Sequence, residues 1–177
     1  MKQFLLYVWE ILELVIIAGV TVFVIRTFFA QPFLVSGASM SNNFNGGDYL
    51  IVDEITYQFE SPQRGDVIVF RYPEEPSTFY IKRIIGLPEE HVVIKNSEVF
   101  VDDNKLKEEY LNEDIKTSGD TDIILSNGEY FVLGDYRYHS YDSRSWGPVS
   151  RKNIIGFARM RLFPFNVVGV LKRSAYQ

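Results

Sequence analysis

The amino-acid sequence predicts a mostly β domain, a sandwich or barrel with a small cap insertion, tethered by one N-terminal transmembrane helix. Three observations lead there. Aromatic residues make up 15% of the 177-residue chain, and aromatic rings sit well on pleated surfaces. Twelve consecutive residues, Leu14 to Ile25, carry no charge. Beyond Pro32 the apolar residues fall in short β-branched and aromatic runs bounded by Gly, Pro or Asp, the pattern of sandwich and barrel strands.

The first element is the helix. A bilayer-spanning helix needs about 20 mostly apolar residues, and Phe4 to Ala30 supplies them. Glu10 and Glu13, three apart, share a helical face near one end; they and Arg26 at the other end reach the interface by snorkelling. Leu14–Ile25 is apolar all round, unlike an amphipathic core helix, and lacks the charged face of an interfacial one. A cleaved secretion signal would begin with several bases and end in small residues. Here only Lys2 is basic and large residues follow the run. Residues 1–30 are therefore expected to be an uncleaved anchor, closed by Pro32. With Lys2 on one side and Arg26 on the other, charge does not decide its orientation.

Residues 31–177 form the β body, large enough to bury a core. Strands are expected in 48–57, 65–73, 78–86, 129–135 and 153–163. HVVIKNSEVFVDD (91–103) reads as a hairpin turning at Asn96-Ser97, because Asn tolerates the left-handed backbone such turns require. Residues 104–128 are polar and acidic and are expected to protrude as a loop. With the hairpin they make 87–128 the cap insertion.

Composition narrows the chemistry. The chain has no cysteine, which excludes a disulfide framework, a zinc finger and a thiol nucleophile. Two histidines, His91 and His139, are too few for a His-based metal site, and no metal or cofactor is expected. Net charge is -5, no reason to expect nucleic-acid binding. Residues 89–122 hold eleven acids and four bases, whereas 137–173 hold eight bases and one acid. Solvated strand faces or contact with anionic lipid would account for the basic segment. Catalysis is left to Ser, Lys, Asp or Glu.

Three segments offer such residues. In PFLVSGASM (32–40), Ser39 is a candidate nucleophile; Gly37 and Ala38 leave room for a substrate backbone, and main-chain N–H groups there could hold an oxyanion. In YIKRIIG (80–86), strand alternation puts Lys82 on the face of Tyr80 and Ile84, opposite Ile81, Arg83 and Ile85. Burial in apolar surroundings lowers a lysine's pKa, as a general base requires; a lysine snorkelling past two apolar neighbours is the competing reading. In LGDYRYHSYDSRSWGPV (133–149), Asp135, Arg137, Asp142 and Arg144 alternate in sign and could cross-link the loop. Ser140 and Ser143 could hydrogen-bond a catalytic group. A triad of Ser39, His139 and Asp142 also remains open. An S-x-x-K motif is absent, since Asn42 stands three residues after Ser39.

Taken in order after the anchor, these segments resemble the bacterial type I signal peptidases, membrane serine proteases with a Ser-Lys dyad, in their compact Gram-positive-like form. PFLVSGASM resembles the nucleophile box, GGDYLIVDEITY and RGDVIVFRYP the next two, YIKRIIGLPEE the lysine box, and GDYRYHSYDSR followed by WGPV the last. The resemblance implies a signal-peptidase-like β domain with Ser39 as nucleophile and Lys82 as general base. Ser140 would orient the lysine, and Asp142 and Arg144 would support the last box with Arg83 nearby. The oxyanion would rest on the Ser39 N–H and the main chain at Gly37, where some members have a hydroxyl. Val35, Ser36, Met40, Tyr80 and Ile81 would line shallow pockets selecting small residues, as in Ala-X-Ala. Implied partners are exported preproteins and the lipid bilayer, for a monomer in the cell membrane with its catalytic domain on the extracytoplasmic side. Two departures stand out: Ser41-Asn42-Asn43 replaces the usual variable residue followed by Pro-Thr, and Tyr136 stands where Asn is usual. They raise the alternative of a maturation peptidase dedicated to few substrates; a non-catalytic, membrane-tethered peptide-binding domain is a further one.

Overall fold

The computed structural model describes residues 2–28, 30–41, 43–112, 114–171 and 173, the side chains of 2, 5, 24–28 and 30 excepted. The Lys2 and Arg26 side chains and Asn42, all used in the sequence argument, lie outside the described residues. Helix α1 (Lys2–Phe28) is long and apolar enough over Leu6–Phe23 to cross a membrane, and none of that stretch is buried in the protein. Strand β1 (Ala30–Leu34) follows, with position 29 between them outside the described residues. Pro32 therefore lies inside β1 rather than at a helix stop. The strand is at a sheet edge, where a residue without an N–H is tolerated.

The remaining strands follow: β2 (Tyr49–Asp53), β3 (Val67–Arg71), β4 (Phe79–Gly86), β5 (His91–Lys95), β6 (Glu98–Val101), β7 (Asn104–Lys105), β8 (Thr121–Ile124), β9 (Glu129–Leu133), β10 (Val149–Ser150), β11 (Ile154–Phe163) and β12 (Gly169–Val170). The larger sheet runs β1-β2-β11-β3-β4-β9-β10, with β12 also on β11; the smaller runs β7-β6-β5-β8. The mostly β class is thus as the sequence indicates. Strand β4 is internal to the large sheet and covered on both faces. Ile84 packs with Ile68, Phe70 and Val132, while Ile85 packs with Val92, Leu125 and Phe131 beneath the small sheet. Covering both faces requires a near-continuous apolar run, and the sequence of β4 provides it everywhere except at Lys82 and Arg83.

The hairpin turn is where the sequence puts it. Asn96 and Ser97 have φ of 53° and 64°, the pair of left-handed residues that a two-residue turn matched to strand twist needs.

Two expectations are corrected. Residues 48–57 do not stay extended: after β2 the chain turns into helix α2 (Thr56–Phe59). The Asp53 carboxylate accepts from both the Thr56 N–H and hydroxyl, each at 2.9 Å. Tyr57 then turns into the core, its hydroxyl donating to Asp66 at 2.7 Å. Nor is 104–128 only a protruding loop. It contributes β7 and β8, with β8 pairing along β5 from His91↔Ile124 to Ile94↔Thr121, and the segment between them folds back against the catalytic body through Tyr110.

Candidate active site

Ser39 sits on a turn that two buried side chains hold in place. Met40 is 1% exposed and Phe44 4%; both enter a core cluster with Val35, Leu50 and Val67. The turn closes by Phe44 N–H donating to Met40 C=O at 2.8 Å and Ser41 N–H to Ala38 C=O at 2.9 Å. With its neighbour Met40 drawn inward, Ser39 is left on the outer side, half-buried and facing a cleft. Gly37, at φ +85°, takes a backbone conformation that favours glycine.

Lys82 comes from β4, opposite Ile68 of β3. Its Nζ lies 2.7 Å from Ser39 Oγ and 3.0 Å from the Ile81 carbonyl oxygen, with the Tyr80 ring centroid 5.4 Å away. The side chain is buried, so it does not snorkel to solvent. Burial pushes its pKa down to about 8, against the partial opposition of the Asp142 and Asp135 carboxylates. A neutral amine hydrogen-bonded to a serine hydroxyl can accept that hydroxyl's proton.

The last segment is not extended. A 3₁₀ turn at Arg137–His139 and a short helix, α3 (Ser143–Trp146), fold it into a compact knot. Fully buried Asp142 organises it, accepting from Gly134 N–H at 3.0 Å and from Arg144 Nε and Nη2, both at 2.8 Å. The expected Asp142–Arg144 pair is present. Arg83 belongs to a different pair, donating to both oxygens of buried Asp135 at 2.8 and 2.6 Å and to the Gly65 carbonyl at 3.0 Å. Ser143 does not reach the catalytic groups; its hydroxyl accepts from the Val132 N–H at 3.0 Å.

Ser140 stands close to the dyad without a bond to it. Among the described residues its buried Oγ has no hydrogen-bond partner, and it packs so tightly on Gly134 that a Cβ there would overlap it and lie 2.5 Å from the Ser39 carbonyl oxygen. The triad fares worse. His139 is exposed and stacks on Tyr136 with ring centroids 5.0 Å apart. Among the described residues no hydrogen bond joins it to Ser39 or Asp142, whose oxygens are engaged elsewhere.

The cleft has a volume of about 320 Å³. Val35, Ser36 and Gly37 form one wall, Tyr80 and Ile81 the other, and His139 and Tyr141 the rim. Met40 does not line it, being committed to the core, where its Sδ accepts from the Asp135 N–H at 3.4 Å. Two strand edges flank the cleft: the outer edge of β1, and the start of β4, because β9 pairs only from Arg83 onward. Among the described residues the Ser39 N–H has no hydrogen-bond acceptor and is available to a developing oxyanion.

Sequence reasoning assigned no role to Asp135 beyond cross-linking, and none to Asn43 or Tyr110. Asn43 Nδ2 donates to Asp135 at 2.8 Å and to the Tyr110 carbonyl at 3.1 Å, while the Tyr136 N–H donates to the Ser39 carbonyl at 3.0 Å. Both unusual positions thus brace the turn that carries Ser39. The conspicuous signal was that Asn43 departs from the expected pattern; Tyr110 sits in the acidic insertion with nothing to mark it.

Comparison with known proteins is consistent with this geometry. Residues 8–163 match the family described as signal peptidase, peptidase S26. Signal peptidase I P of Bacillus subtilis subsp. natto is 34% identical over 88% of this chain and 89% of its own. A signal peptidase I of Leptolyngbya laminosa is 39% identical over 83% of this chain and 75% of its own. A crystal structure of a signal peptidase I from Enterococcus faecalis V583 shares 30% identity, covering 55% of this chain and 97% of that one at a TM-score of 0.49. On the family match and the extent of its relatives, the chain belongs to the signal peptidase family, peptidase S26, and is a serine peptidase.

Proposed function

We propose that this peptidase removes N-terminal signal peptides from exported preproteins, cutting after small residues with Ser39 as nucleophile and Lys82 as general base. The observation that carries this reading is the 2.7 Å contact between Lys82 Nζ and Ser39 Oγ in a site that buries the amine. The preprotein lies extended between the edges of β1 and β4 and adds main-chain hydrogen bonds as a further strand does. Neutral Lys82 takes the Ser39 proton as Oγ attacks the scissile carbonyl, and the Ser39 N–H stabilises the oxyanion. The ammonium then protonates the leaving amine, and water activated by the same lysine hydrolyses the acyl-enzyme. The unpartnered Ser140 hydroxyl supplies Nζ with an acceptor as it changes charge. Val35 and Ile81 keep the walls close and admit small side chains. Helix α1 spans the bilayer and the body lies on the extracytoplasmic side, where a preprotein's cleavage segment emerges. One chain holds every group in this scheme and acts as a monomer.

The test is cleavage of a preprotein bearing an Ala-X-Ala site by detergent-purified protein. Ser39→Ala and Lys82→Ala are each expected to lose about 10³-fold or more in kcat, while His139→Ala stays within about twofold of wild type. Full cleavage by both dyad variants would sink the mechanism. The rate is expected to rise with pH through an acidic limb centred near 8, because only the neutral amine accepts a proton.

A further inference from the structure

Ser39, Lys82 and their supporting residues come from three separate stretches of chain, and one residue of the insertion touches all of them, two through its side chain and one through its main-chain carbonyl. Tyr110 presents its ring to the Arg83 guanidinium, 4.0 Å from the centroid, and Arg83 follows Lys82 on β4. Its carbonyl accepts from Asn43 at 3.1 Å, four residues beyond Ser39. Its hydroxyl accepts from Arg137 Nη2 at 2.9 Å, three residues before Ser140. Arg137 is itself 1% exposed. Its charge is matched within the insertion, where Glu108 accepts from both terminal nitrogens and Thr117 from one, while Nε donates to the Gly134 carbonyl at 3.1 Å. A cavity of about 160 Å³ opens beside this junction, bordered by Asn43, Arg83 and Tyr110.

We infer that Tyr110 is a positioning residue for catalysis, held by Glu108 and Arg137, that keeps the segments carrying Ser39, Lys82 and Ser140 in mutual register. This rests on the Ser39–Lys82 reading above. The segments of Lys82 and Ser140 meet at this side chain, and that of Ser39 is held to the same residue's main chain, so the side chain ties the first two to the third. Without it the neighbouring cavity extends to the Arg83–Asp135 pair and has room for water. A misplacement of about 1 Å between nucleophile and base can cost about 100-fold in rate. Water reaching Lys82 would also weaken the burial that holds its amine neutral. The groups facing that amine are Ser39, Tyr80, the carboxylates Asp135 and Asp142 with their partners Arg83 and Arg144, and His139 and Tyr141 in the cleft. Tyr110 is within reach of the Asp135 side of this set through both Arg83 and Asn43.

The experiment measures kcat, KM and the pH–rate profile for preprotein cleavage by full-length wild type, Tyr110→Ala, Tyr110→Phe and Lys82→Ala. Tyr110→Ala is expected to lower kcat about 10- to 100-fold with KM within about twofold. Its acidic limb should move up by about half a pH unit or more as the amine becomes better hydrated. Tyr110→Phe, which keeps the ring over Arg83, should retain the wild-type limb and lie within about threefold of its kcat. Lys105→Ala breaks the exposed Lys105–Glu98 pair elsewhere in the insertion and should change nothing. If Tyr110→Ala does not fold, Tyr110→Leu, apolar but without the aromatic face and hydroxyl, carries the same expectation. A wild-type kcat and limb in the Ala or Leu variant overturns the inference. So does a loss of kcat equal to the unfolded fraction by near-UV circular dichroism with the limb unmoved. Cleavage by wild type but not Lys82→Ala keeps any such failure separate from the dyad; no cleavage by wild type removes both.

Discussion

At the scale of single residues, the site sets activity against stability in Lys82. An amine buried among apolar groups is disfavoured in its charged form, hence the fall from the ordinary 10.5 to about 8. The unfolded chain holds the proton more tightly, so this group makes folding less favourable below pH 8. Stability is regained as pH rises from about 8 toward 10.5, where the unfolded state still binds the proton and the folded state has released it. Lys82→Met, similar in volume and uncharged, is therefore expected to raise stability at pH 7 by about 1–3 kcal/mol while abolishing cleavage. Denaturant titration at pH 7 and pH 10 checks the sign, since the gain should shrink at the higher pH; a destabilised variant at pH 7 contradicts it. Lys82 was also the most legible residue of the site. Strand alternation put it on an apolar face, and the contact with Ser39 needed only a second segment to arrive there. Ser140 was less legible, because its burial depends on a 3₁₀ turn that no period-2 pattern signals.

At the scale of elements, the strands with two covered faces could be read from their apolar runs, and the hairpin from an Asn at its turn. What the sequence obscured was decided by individual polar side chains. Asp53 ends β2 by capping Thr56, and Asp142 folds 134–146 by binding Gly134 and Arg144 together. Strand β8 offers only Ile123 and Ile124 in a polar stretch, and Ile124 is 71% exposed, so local pattern gave little to read. Gly134, just past the end of β9, leaves no room for a side chain where it meets Ser39 and Ser140. Gly134→Ala is expected to cost about 1–3 kcal/mol in stability through overpacking. It should also lower kcat disproportionately, because both neighbours that must yield belong to the site. Thermal unfolding and single-turnover cleavage, measured together, check this; a stable, fully active variant would show that the loop relaxes freely.

At the scale of the molecule, several bases of the C-terminal third prove to be engaged within the protein. Arg137 pairs with Glu108, Arg144 reaches the Ser118 carbonyl at 2.8 Å, and Arg161 pairs with Asp48 at 3.1 Å. Much of the basic segment that suggested an anionic surface instead docks the protein onto itself. The helix is the opposite case, for no part of Leu6–Phe23 is buried by the body. Deleting residues 2–28 is expected to leave the melting temperature of the β body within about 3 °C, measurable by calorimetry on the shortened chain. The nearness of α1 and β1 in the sequence, one position apart, has a mechanical consequence. The strand that walls the cleft is also the leash that holds it, and Ser39 stands eleven positions beyond the helix end at Phe28. At about 3.3–3.6 Å per residue, Ser39 stands no more than about 40 Å from that end. On the proposal that α1 spans the bilayer, the enzyme would carry its own ruler: a scissile bond would have to be presented within a fixed height of the membrane, and cleavage would report distance as well as sequence.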